Sequence, residues 1–191
     1  MQLEPEPRIL IESLRDIGYS FNSALADIVD NSITAKARNI SILAIPSDDF
    51  RIAIIDDGEG LGRDELMHAM RLGSTDPRCK RNLNDLGRFG LGLKTASFSQ
   101  CRRLTIVSKK NGEVNAFTWD LDFVASENKW TVLEQKRTDA IPFIEEMRET
   151  GTLVLWEKLD RLTGVNGSGK ANYDRLISEA QDYLSLVFHR Y

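Results

Sequence analysis

Apolar residues recur along this chain at two periods, and the switch between them marks its layout. Leu25, Ile28, Val29 and Ile33 return every three or four residues, the spacing of an amphipathic helix, and Ser20 and Asn22 ahead of them offer N-caps. A helix is predicted over about Asn22 to Ala35. A shorter one is predicted from Arg8 to Leu14, where Pro7 suits a first helical turn. The apolar runs Ile40 to Ile45 and Ile52 to Ile55 flank Pro46, Ser47, Asp48 and Asp49, and predict an antiparallel hairpin. Glycines 58, 60 and 62 then break the chain before a predicted helix from Arg63 to Leu72, whose Asp64 and Glu65 suit a positive helix end. From Gly73 to Arg88 periodicity disappears and the centre is basic, which predicts a mobile loop over a binding site. A glycine-spaced helix, Phe89 to Ser99, follows.

The second half is strand-rich. Leu104 to Ser108, Val114 to Asp120, Lys129 to Leu133 and Thr152 to Glu157 read as strands, bringing the expected total to about six, and Asn111-Gly112 predicts a tight hairpin turn. Asp139 to Glu149 is expected to hold a short helix. A last helix, Asn172 to Tyr191, gathers Leu176, Ile177, Ala180, Tyr183, Leu184 and Val187 on one face. Helices at both ends with adjoining strands between them predict an α+β protein, a two-layer sandwich with a mixed, mostly antiparallel sheet and helices on one face.

Composition narrows the class. With 191 residues and a net charge of −4, the chain is neither a disordered tail nor a basic nucleic-acid module, and it reads as one domain spanning 1–191. Cys79 and Cys101 lack metal-ligand spacing, and His68 and His189 offer little for a histidine-centred site. The acidic, proline-bearing start is unlike a signal peptide, and no run approaches 18 apolar residues, so a cytoplasmic protein without a membrane partner is expected. The basic clusters Arg78, Lys80, Arg81 and Arg102, Arg103, Lys109, Lys110 read as solvated faces, so DNA has no evident docking patch here.

Three segments carry candidate chemistry. Asp27 and Asn31 lie four apart, one turn along a helix face; the amide oxygen suits a hard cation and the carboxylate a water, although a solvated polar stripe fits the same spacing. Ile54-Ile55-Asp56-Asp57-Gly58-Glu59-Gly60 ends a strand in acids and glycines. There a carboxylate could accept a hydrogen bond from an exocyclic amine, and the alternatives are a plain glycine turn or a calcium loop. Gly87-Arg88-Phe89-Gly90-Leu91-Gly92-Leu93-Lys94-Thr95 runs into a helix start that could hold phosphates, or could pack a helix tightly on the sheet.

In this order, with Gly151-Thr152 late in the chain, these motifs resemble the series of the GHKL ATPase superfamily, which contains gyrase B subunits, heat-shock chaperones, histidine kinases and MutL proteins. The resemblance spans about Ser20 to Leu159; ALADIVDNSITAKA and GRFGLGLKTAS look closer to the MutL, microrchidia and chaperone branches than to the kinases. It implies the Bergerat fold, with ATP and Mg²⁺ as cofactors. Asn31 would ligate Mg²⁺, and Asp56 would bind the adenine amine beside Gly58 and Gly60. Gly87, Gly90 and Gly92, with Phe89, Leu91, Leu93 and Lys94 between and after them, would line the phosphates, and Thr152 would support the adenine side. Ser74 to Arg88 would be an ATP lid. Asp27 stands where the hydrolytic branches usually have Glu, which implies slow hydrolysis. The resemblance further implies an N-terminal fragment of a longer machine that closes its lid and homodimerises with ATP, with DNA as a candidate client. The alternative is a module that binds ATP as a sensor or scaffold without turnover.

Overall fold

The computed structural model describes residues 5–45, 50–73, 92–163 and 169–189. The first half builds a helical layer over a hairpin. Pro7 opens α1 (Pro7–Arg15), and Ser20 caps α2 (Phe21–Thr34) by accepting a hydrogen bond from the Ser23 amide at 3.1 Å. Strands β1 (Ile40–Ile45) and β2 (Arg51–Asp56) form the expected antiparallel hairpin, followed by α3 (Arg63–Met70) and α4 (Gly92–Phe98).

The second half supplies β3 (Arg103–Lys110) and β4 (Glu113–Asp120), joined at Asn111 and Gly112, whose φ angles of 53° and 79° are those of the hairpin turn their sequence predicts. Then come α5 (Leu121–Glu127), the two-residue β5 (Leu133–Glu134), β6 (Gly151–Glu157), α6 (Asp160–Thr163) and α7 (Gly169–Val187). The sheet order is β1-β2-β6-β3-β4-β5 and every described pairing is antiparallel. β6 enters between the two hairpins, which brings Thr152 opposite Asp56.

Alternation along the strands fills both faces. Ile52, Ile54, Ile106, Val154 and Trp156 meet the helices in the main core, while Ala53, Ile55, Val107, Leu153 and Leu155 point the other way under Ile141 and Met147. The helical layer is bolted down by buried polar contacts. Trp156 Nε1 donates to Ser97 Oγ of α4 at 2.9 Å, Trp119 Nε1 to the Met70 carbonyl at the end of α3 at 3.0 Å, and Arg15 Nε to the Phe98 carbonyl at 2.9 Å.

Local order departs from the sequence reading in three places, the smallest being the one-turn helix α6. The segment read as a strand over Lys129 to Leu133 pairs only at Leu133–Glu134, and the helix α5 before it was not expected. Asp120 caps that helix and Asn128 closes it in the left-handed region, φ 48°. The helix expected from Asp139 to Glu149 is two 3-10 turns, Thr138–Ala140 and Ile144–Glu146. Pro142 holds Ile141 extended and Phe143 takes φ 66°, which ends helical continuation between them. Among the described residues no helix is long and apolar enough to cross a membrane.

Asp57, the second acid at the end of β2, locks this hairpin to the α2–β1 connection. It accepts hydrogen bonds from the Arg38 and Asn39 amides at 2.7 and 2.8 Å, from Asn39 Nδ2 at 2.7 Å and from Arg148 at 3.2 Å. The Asn39 contacts above all, with Arg148 nearby, hold its pKa down at about 2. Its folded value lies below the unfolded one, so its stabilisation is complete above about pH 4 and is lost as pH falls through 2. Urea denaturation should therefore show Asp57→Ala costing about 2 kcal/mol at pH 7, with the gap to the parent narrowing at pH 2–3. An equal gap at both pH values would contradict this assignment.

Candidate nucleotide site

A cavity of about 650 Å³ opens between the helical layer and the sheet, a volume suited to a nucleotide-sized ligand. Ile28, Ile106 and Val154 supply apolar wall, and Asp56 sits among them, 6% exposed. Among the described residues its carboxylate accepts three hydrogen bonds. Oδ1 takes the Gly58 amide at 2.9 Å and the Thr152 amide at 3.2 Å, and Oδ2 takes Ser32 Oγ at 2.9 Å. Burial raises the carboxyl's pKa and these donors oppose the rise. One lone pair of Oδ2 remains for a donor entering the cavity.

The turn after β2 is shaped by the chain's own backbone. A Cβ on Gly58 would lie 2.7 Å from the Ala35 carbonyl oxygen, and one on Gly60, at φ 64°, would lie 2.2 Å from that of Lys109. The Leu61 amide donates to Ser108 Oγ at 2.7 Å, folding the turn against β3. These glycines are thus required by protein packing, a reason absent from the sequence reading.

Asn31, Asp56, Gly60, Gly92, Leu93, Lys94 and Thr152 all border this one cavity. Gly58 is buried behind it. Gly87, Phe89, Gly90 and Leu91, the lid segment Ser74 to Arg88 and Cys79 lie outside the described residues. Asn31 makes no side-chain hydrogen bond among the described residues, so its amide oxygen is available as a hard-cation ligand. Lys94 is 1% exposed, donates to the Ala69 carbonyl of α3, and is lowered by burial to a pKa of about 8. Asp27 stands half-buried one turn before Asn31, outside the cavity lining, and Asp30 is exposed.

The profile described as histidine kinase-, DNA gyrase B- and HSP90-like ATPase matches residues 19–152, well over half of the chain. The chain belongs to this ATPase family. Two curated relatives sharpen the likeness. ATPase morc-1 of Caenorhabditis elegans is 38% identical over 96 residues, 49% of this chain and 11% of that protein. The DNA mismatch repair protein MutL of Dictyoglomus turgidum is 28% identical over 97 residues, 50% of this chain and 17% of that protein. Each alignment thus spans under a fifth of the relative's length. As a GHKL-type ATPase domain, the chain has the α+β sandwich its motif series implied.

Two side chains on the candidate carboxylates escape the motif reading, Ser32 on Asp56 and Tyr19 on Asp27, while Gly151 of the late motif takes φ 129°, which admits β6 beside the Asp56 backbone. Spacing could flag Ser32, next to Asn31, but its partner lies across the fold. The second basic cluster is occupied. Arg102 pairs with Glu12 and Asp122, Arg103 with Glu157 and Lys110 with Glu65, and Lys109 donates to the Ile144 and Met147 carbonyls.

Proposed function

We propose that the chain is a Mg²⁺-dependent ATP-binding domain that hydrolyses ATP slowly and uses lid closure and homodimerisation to drive a larger, DNA-related machine in the cytoplasm. The observation that carries the ATP reading is the buried Asp56 carboxylate, aligned by three donors beside a cavity that Asn31, Gly92, Lys94 and Thr152 also border. The remaining Oδ2 lone pair suits the adenine amine, and a guanine carbonyl there would face an acceptor. Gly92, Leu93 and Lys94 serve the phosphate end, together with Gly87, Phe89, Gly90 and Leu91 of the preceding loop. Asn31 would hold Mg²⁺, which would offset phosphate charge. Asp27 orients and deprotonates the attacking water. DNA as the client is carried over from the mismatch-repair relative.

Phosphate release by the chain, compared with Asp27→Ala, tests the catalytic half. The rate should fall about 100-fold with ATP affinity unchanged; equal rates would remove Asp27 from the chemistry. One observation favours a second reading, an ATP-binding sensor or scaffold without turnover: Asp27 has the shorter carboxylate and stands off the cavity lining. That reading predicts tight binding with no Asp27-dependent release.

A further inference from the structure

The following inference rests on Asp27 as the water-orienting group. An aspartate one methylene shorter than glutamate must have its carboxylate held in one place, since a displacement of about 1 Å can cost about 100-fold in rate. The Tyr19 hydroxyl donates to Asp27 Oδ2 at 2.8 Å, and among the described residues no other group bonds this carboxylate.

Tyr19 is itself fixed. Its amide donates to the Ile17 carbonyl, its own carbonyl accepts from Gln100 Nε2 at 3.4 Å, and its ring packs on the main core. Burial first, and the adjacent carboxylate second, raise the phenol's pKa, keeping it a donor. The start of α2 does not depend on this bond, because Ser20 already caps it.

We propose that Tyr19 is a positioning residue for Asp27: it grips Oδ2, fixes the side-chain torsions, and leaves Oδ1, which bonds nothing else among the described residues, as the acceptor for the attacking water. The hydrogen bond thereby does part of what the longer glutamate side chain does by reach.

The test compares the parent chain, Tyr19→Phe, Asp27→Asn and the double variant by steady-state phosphate release, calorimetry with a non-hydrolysable ATP analogue, and thermal melting. Tyr19→Phe should lower kcat about tenfold, with KM and analogue affinity within about twofold and melting unchanged. In the Asp27→Asn background it should add no further loss, because both changes act through one carboxylate. Parent-like kcat in Tyr19→Phe, with Asp27→Asn slow, would overturn the positioning role alone. A further loss on Asp27→Asn, or weaker binding with lower melting, would make Tyr19 structural and overturn it too. Parent-like release by Asp27→Asn would remove the catalytic reading and this inference together.

Discussion

Asp56→Asn is expected to weaken ATP binding about 100-fold while the protein stays folded. The carboxamide keeps the shape and keeps Oδ1 as acceptor for the Gly58 and Thr152 amides. At the other position Nδ2 replaces Oδ2. Ser32 can adapt, since its hydroxyl also lies 3.3 Å from the Ile28 carbonyl and can turn to donate there while accepting from Nδ2. The second Nδ2 hydrogen is left facing the cavity, where an adenine amine would present another donor. Two donors meeting in a desolvated site is the arrangement that discriminates most strongly, because neither can turn to water. Calorimetry with an ATP analogue and a thermal melt on the same sample separate the two effects. Parent-like affinity would mean that adenine is held elsewhere, and a collapsed melt would mean that Asp56 serves folding first.

The largest stability loss should come from Gly151→Ala, about 3–5 kcal/mol or failure to fold. Gly151 opens β6 at φ 129°, and an added Cβ would lie 1.9 Å from the Asp56 carbonyl oxygen and 3.0 Å from the Asp57 Cα. All of these neighbours are backbone, so no side chain can swing aside. Relief requires moving β6 away from the end of β2, and that move breaks the Thr152 to Asp56 hydrogen bond. Gly112→Ala is the matched control: φ is 79° at the β3–β4 turn, but nothing stands within 4 Å of the new Cβ. It should lose about 1–2 kcal/mol, the conformational part alone. Similar losses at both positions in urea denaturation would show that the close approach at Gly151 does not matter.

The legible parts of the fold are those written in short-range chemistry. The period of Leu25, Ile28 and Val29 marks α2, and Asn111-Gly112 announces its turn because both positions accept positive φ. Asp56 stands out by its strand-end motif and Thr152 only through the family resemblance, and the two meet across β2 and β6. The place where β6 inserts is not legible, because strand order depends on which apolar faces of distant segments bury together, and Gly151 permits the close approach to β2 without naming its partner. The apolar run Leu153 to Trp156 is explained by the same fact: it is covered on both faces, the outer one by Ile141 and Met147 from a segment that reads as a helix until Pro142 and Phe143 break it. Tyr19 and Ser32 were missed for a related reason. No local pattern gives either one a chemical role, and only the three-dimensional fold brings it to a carboxylate.

Titration of the chain with non-hydrolysable ATP and GTP analogues, each with and without Mg²⁺, tests ATP recognition at the Asp56 cavity most directly. Saturable one-to-one binding of the ATP analogue is predicted, strengthened by Mg²⁺, with the GTP analogue about 100-fold weaker or undetectable. No binding of the ATP analogue with Mg²⁺ present, or equal affinity for the two nucleotides, would contradict it.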